Sequence, residues 1–173
     1  LSQYDFAGVG GARERLGAAG LAKYKSGMAA LIREMTLDDY RQILALWKRT
    51  EGIGLSESDN EMATAAYLQR NPGMSCVAVG HSDQVIGAVL CGHDGRRGYI
   101  HHLAVAAEHR RKGIAKQLLT FCFAGLKRNN IPKCNVFLFC NNHDGHAFWV
   151  HHGWAKRADL YLLQKTVSQP SVE

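Results

Sequence analysis

The sequence predicts an α/β fold with a mixed, mostly antiparallel central sheet and flanking helices. Residues 102–119, His-Leu-Ala-Val-Ala-Ala-Glu-His-Arg-Arg-Lys-Gly-Ile-Ala-Lys-Gln-Leu-Leu, read as a strand, a basic turn and a helix. After Gly113, the residues Ile114, Leu118, Phe121, Cys122 and Gly125 fall on one helical face. Two short apolar runs, Ser75 to Gly80 and Val85 to Cys91, flank a short polar turn, which is the pattern of a hairpin.

The remaining elements follow in order. Ala30 to Met35 reads as a first strand. Thr36 caps a helix from Asp39 to Arg49, with Leu37, Tyr40, Ile43, Leu44 and Trp47 on one side. Ser58 and Glu61 have the spacing of a capping box for a second helix ending near Arg70, and Asn71-Pro72-Gly73 stops it. Gly92 to Gly98 is a turn, and Tyr99 to Ala106 the next strand. The motif helix spans Gly113 to Arg128. Cys134 to Cys140, short and apolar, reads as a buried strand. His143 to His152 is a helix, and Trp154 to Lys165 a final strand. The order is β-α-α-β-β-β-α-β-α-β. Residues 1–27 are rich in Gly and Ala and read as an N-terminal extension or a cloning remnant, with a helix possible at Ala12 to Tyr24. Met28 opens a domain over 28–166, and 167–173 form a tail.

With 173 residues and 46% hydrophobic content, the chain can bury one full core. A net charge of +6 suits an anionic ligand. Nucleic acid is the competing reading, but the cations form no long run and are not interleaved with aromatics. No apolar stretch is long enough to span a membrane, and residues 1–27 lack the core of a signal peptide. The five cysteines, Cys76, Cys91, Cys122, Cys134 and Cys140, form no C-x-x-C pair. They read as reduced, mostly buried thiols of a cytoplasmic protein. Gly8-Val-Gly10-Gly11-Ala-Arg13 fails the dinucleotide pattern at its last position, and Lys25-Ser26 lacks the upstream glycines of a P-loop.

The strand-to-helix turn carries the clearest chemistry. A helix N-terminus presents unpaired N–H groups and a partial positive charge, so it binds phosphate. Gly113 lets the backbone approach a ligand without a Cβ in the way, and Arg110, Arg111 and Lys112 add Coulomb attraction. Together they describe a pyrophosphate site.

The form Arg110-x-x-Gly113-x-Ala115 resembles the acyl-CoA loop of the GCN5-related N-acetyltransferases. A second block, Asn142-His-Asp-Gly-His-Ala-Phe-Trp149-Val-His-His-Gly153-Trp154, resembles that family's later motif in spacing, order and distance. The resemblance covers roughly residues 30 to 165 and implies the acetyltransferase fold. It also implies acetyl-CoA as co-substrate, no metal, and direct attack of an amine on the thioester with both substrates bound. The acceptor is a small-molecule amine or a peptide N-terminus; no nucleic acid or membrane partner is implied, and a homodimer is open.

The resemblance assigns the pyrophosphate to Arg110, Arg111, Lys112, Gly113, Ile114, Ala115 and Lys116. It lays the pantetheine arm along the backbone of Leu103, Ala104 and Val105, where an N–H polarises the thioester carbonyl. Asn142 matches the Asn that bonds the pantetheine amide; it is also a natural helix N-cap. The family's usual strand Glu falls at Tyr99, so that carboxylate is absent. His101, two residues on and on the same strand face, is the candidate base; His102, expected on the other face, is second. The family's acid, a Tyr, is replaced by Trp149, whose indole only donates. Trp149 can hydrogen-bond the thiolate or pack on the CoA arm, and the proton donor stays unassigned. Glu57 and Asp59, with Tyr99, are placed where the family binds its acceptor. His143, His146, His151 and His152 have no supporting spacing for a metal. The departures at Tyr99 and Trp149 leave an alternative, an acyl-CoA sensor that binds without turnover.

Overall fold

Strands β1 (Leu31–Glu34), β2 (Cys76–Val79), β3 (Val85–His93) and β4 (Gly98–Val105) pair in sequence order, each antiparallel to the last. β5 (Cys134–Val136) lies parallel to β4 at the edge. Among the described residues these five strands form one sheet. The structure, a computed structural model, describes residues 30–167. The readings for 1–27, for Met28 as domain start and for the tail beyond Val167 lie outside the described residues. Those described divide into two compact units, 30–137 and 138–167.

In the first unit every residue of β2 is buried, as are the first eight of β3. Such continuous burial requires cover on both faces. One face carries Val77, Val79, Ala88, Leu90 and Ala104, packed against Ile43, Leu46 and Trp47 of helix α1 (Tyr40–Lys48). Tyr67 and Leu68 of helix α2 (Glu61–Arg70) close the same cluster. Full burial of each large side chain contributes about 1.5–3 kcal/mol. The other face receives helix α3 (Ile114–Arg128), where Cys76 Sγ lies 3.5 Å from the Leu118 carbonyl. Cys76, Cys91 and Cys122 are buried, Cys134 is half-buried and Cys140 exposed; all five are free thiols. A hydrogen bond with Cys122, then burial, raises the Cys91 thiol.

Several local expectations shift. Leu37 is 41% exposed, while Leu46 is buried. Thr36 and Asp39 form a capping box on a short 3-10 turn, and α1 starts only at Tyr40. Asn60 rather than Ser58 caps α2, its Oδ1 accepting from Ala63 N at 2.8 Å. The Ser58–Glu61 box is displaced because Ser56 and Asp59 form one a turn earlier. The strand expected over Cys134 to Cys140 ends at Val136, and it is an edge, so Phe137 and Phe139 are exposed rather than buried.

In the second unit, helix α4 (His143–His151) forms as expected. The final strand does not: 154–167 pair with no strand among the described residues. Arg157 and Asp159 join through two hydrogen bonds of 2.8 and 2.7 Å within a turn, which breaks the run. No helix among the described residues is long and apolar enough to cross a membrane.

Arg33 fixes β1 to the start of α1 with two bonds of 2.7 Å to the buried Asp39 carboxylate. Burial alone would raise the Asp39 pKa, but Arg33 and Thr36 outweigh it and lower it. The folded carboxyl therefore stabilises the protein above the ordinary value of 3.8, and that contribution is lost as pH falls through the folded value. Arg33→Met should cost about 1–3 kcal/mol at neutral pH, read by urea denaturation.

Candidate active site

The site begins with an irregularity in β4. Leu90 pairs with His101, but Ala88 pairs with Ala104, so β4 holds one residue more than β3 there. His102, with φ of 52°, takes up the extra residue as a bulge. This overturns the expected alternation: His101 and His102 both lie on the face covered by α1 and α2. The His101 ring is 6.1 Å from Tyr67, edge to face, and stacks 6.4 Å from Tyr99. The His102 ring is 4.8 Å from Trp47. Trp47 Nε1 donates to the His102 carbonyl at 3.0 Å.

His102 Nε2 lies 2.6 Å from Asp59 Oδ1, with both side chains largely buried. Asp59 Oδ2 accepts from Ser56 N at 2.7 Å, and Tyr40 Oη donates to the Asp59 carbonyl at 3.1 Å. The Asp59 carboxylate, expected at an acceptor amine, is thus engaged by the strand histidine. Glu57, on the same turn, is exposed.

Beside His101 a cleft of about 240 Å³ opens between α2 and the β3–β4 hairpin. Tyr67, Arg70 and Asn71 form one wall; Gly92, His93 and Asp94 form the other. Tyr99 and His101 complete it from β4. Of the expected site residues, the structure brings Tyr99 and His101 together here. Burial, and then the proximity of His102, lowers the His101 pKa, so its ring is neutral at physiological pH. Asp94 Oδ1 accepts from Arg97 N at 2.7 Å and Arg96 N at 2.8 Å, and Oδ2 accepts from Tyr99 Oη at 3.0 Å. These bonds, led by the two backbone amides, hold Asp94 at about 2.

Sequence reading missed Tyr67, Arg70, Asn71 and Asp94. The signals were present but weak. Tyr67 and Asn71 are four apart and share a helix face, and Asp94-Gly95 marks a tight hairpin.

The basic turn leads into α3. Gly113, at φ 77°, is the N-cap and offers no side-chain cap, so the first-turn amides stay open. A Cβ there would meet nothing within 4 Å. Arg110, Arg111, Lys112 and Lys116 are exposed. Arg110 Nε donates to the Val105 carbonyl at 3.1 Å, and Lys112 Nζ to the Glu108 carbonyl at 3.0 Å. The ladder between β4 and β5 ends at the pair Ile100–Val136. Leu103, Ala104 and Val105 therefore lie beyond it, with no β5 partner among the described residues.

In the second unit, Asn142 Oδ1 accepts from Gly145 N at 2.8 Å, capping α4. Trp149 is buried and meets Trp154 edge to face at 4.7 Å. His152 Nδ1 lies 2.8 Å from the Phe148 carbonyl. His143, His146, His151 and His152 do not gather with other ligands: no group of three metal-capable side chains occurs among the described residues.

The acetyltransferase (GNAT) family model matches residues 34–154. An acetyltransferase of Sodalis glossinidius is 30% identical over 111 residues, covering 64% of this chain and 77% of that one. The PaiA N-acetyltransferase from Thermoplasma acidophilum, solved with coenzyme A, superposes with a TM-score of 0.62 at 18% identity, covering 72% of this chain and 89% of that one. An aminoglycoside acetyltransferase from an uncultured soil sample, solved with sisomicin, superposes at 0.63 with 15% identity over 81% and 97%.

Asp59→Asn keeps the shape of the carboxylate but removes its charge from His102. It should lower stability by about 1.5–3 kcal/mol, the scale of a charge-assisted bond, as measured by urea denaturation at pH 7.

Proposed function

Because the chain belongs to the acetyltransferase (GNAT) family, we propose that it moves the acetyl group of acetyl-CoA to a primary amine held in the cleft beside His101. The observation that carries this reading is the uncapped N-terminus of α3 at the end of β4, where the ladder with β5 has already stopped. The open amides of Ile114, Ala115 and Lys116 suit the pyrophosphate, with Arg111 and Lys112 adding attraction. Backbone groups of Leu103 and Ala104 suit the pantetheine amides. The Val105 carbonyl is already taken by Arg110. For Asn142 and Trp149 the roles rest on the motif alone.

The amine nitrogen attacks the thioester carbonyl carbon. A C–N bond forms, the C–S bond breaks, and CoA leaves as a thiolate that takes a proton from solvent. The amine proton passes to His101, directly or through one water. A neutral imidazole at the cleft wall is fit for this, since burial has removed the tendency to be charged before the reaction. His102, tied to Asp59, holds the bulge and so aims His101; it is a positioning residue.

Gly113→Asp places a carboxylate at the turn where anions are to bind, in open space and in a backbone region Asp tolerates. CoA affinity by calorimetry should fall about tenfold or more, while the circular dichroism spectrum stays that of the wild type. Equal affinity would sink the site.

If His101 is the base, kcat/KM rises with pH along a limb whose midpoint lies on the acid side of 6.5, because burial lowers that pKa. His101→Ala should remove the limb and cost about 10²-fold or more. A wild-type rate and profile in the variant would refute the role.

A further inference from the structure

Resting on the acetyl-transfer reading, we propose that the cleft takes a small amine whose far end is anionic, a carboxylate above all, with Arg70 as its anchor. Three observations lead here. The first is size. About 240 Å³ is below the roughly 300–1,000 Å³ of sites that hold drug-sized ligands, so the portion of a ligand held inside is of amino-acid dimensions.

The second is charge. Arg70 and Asp94 are the formally charged side chains of the lining. Asp94 keeps its charge, but both of its oxygens are engaged within its own hairpin by two backbone amides and the Tyr99 hydroxyl. Arg70 has no carboxylate within ion-pair distance among the described residues and is exposed at the end of α2. The lining thus holds one charge of each sign, and Arg70 is the one with no ion-pair partner among the described residues. A guanidinium offers a planar fork that matches a carboxylate with two bonds. A polycation would bring several ammonium groups against it.

The third is an unused polar group. Tyr67 Oη is buried and has no hydrogen-bond partner. It sits over Gly92, where a Cβ would come within 2.6 Å of it, between the two walls of the cleft. A buried hydroxyl without a partner costs free energy, and a ligand polar group can pair with it once the Tyr67 ring turns its tip toward the cleft. The acceptor then runs from His101, past Tyr67, to Arg70, with its amine at the histidine and its acid at the mouth.

The test uses the full chain saturated with CoA. A length series of ω-amino acids from three to six carbons is compared by calorimetry with the matching ω-amino amides, 1,5-diaminopentane and sisomicin. The best carboxylate should bind about threefold tighter than its amide at low salt, the gain of one exposed ion pair. In Arg70→Gln that difference should vanish while CoA affinity is unchanged. Amides, diamines or sisomicin binding as well as the carboxylates would overturn the inference, as would no amine binding at all. A preference that survives in Arg70→Gln overturns the assignment to that residue. Thiol release from acetyl-CoA is followed in parallel. A carboxylate preference in binding with no thiol released leaves the anionic anchor standing and refutes acetyl transfer.

Discussion

Between Ile100 and Ala104 the fourth strand covers one residue more than the strand beside it, and the arrangement of the site depends on how that residue is stored. His102 takes a left-handed conformation, which costs a residue with a Cβ about 1–2 kcal/mol. Such strain persists only where neighbours over-determine it. Trp47 holds the carbonyl of His102, and Asp59 holds its ring. A charge-assisted contact such as the latter is worth about 1.5–3 kcal/mol, enough to offset the strain. α1 and the turn before α2 thus fix the irregular strand from one side. In return, two adjacent histidines face the same way, one committed to structure and one left at the cleft.

The bulge and the gap beside β5 belong together. A bulge bends its strand and raises the local twist. A parallel neighbour can follow β4 only while β4 is regular, and the ladder ends at Ile100, one residue before the paired histidines. Beyond that point Ala104 and Val105 pair with β3 on one side only, and Leu103 lies within the register shift. On the proposed reading, the feature that aims His101 is also the one that leaves a strand edge for a ligand with amide groups of its own.

What could be read from the sequence was local. The turn Arg110 to Gly113 and the helix behind it are set by a glycine at positive φ and by a 3.6-residue apolar period. Both are properties of a few consecutive residues. The β2–β3 hairpin was legible for the same reason. The bulge was not, because His-His gives no turn signal and a positive φ at histidine is imposed by contacts with α1 and the turn before α2. The Asp59–His102 pair joins residues 43 positions apart, and no spacing rule covers it. Asp59 looked free to bind a ligand because its partner could not be seen. The run from Trp154 to Lys165 is apolar enough for a strand, yet the Arg157–Asp159 turn interrupts it, and apolar content alone does not supply a neighbour to pair with.

The basic turn also works differently from a simple cluster of charges. Arg110 is bonded to the Val105 carbonyl and Lys112 to the Glu108 carbonyl, so two of its cations help to shape the loop that bears them. Exposed cations attract an anion weakly, and salt screens them. Backbone amides at a helix N-terminus are fixed in direction and cannot rotate away. On the proposed reading the side chains raise the local concentration of an anionic ligand, while the open amides behind Gly113 decide how it is held. A glycine at that point suits both, because it admits the left-handed turn and leaves the approach to the amides clear.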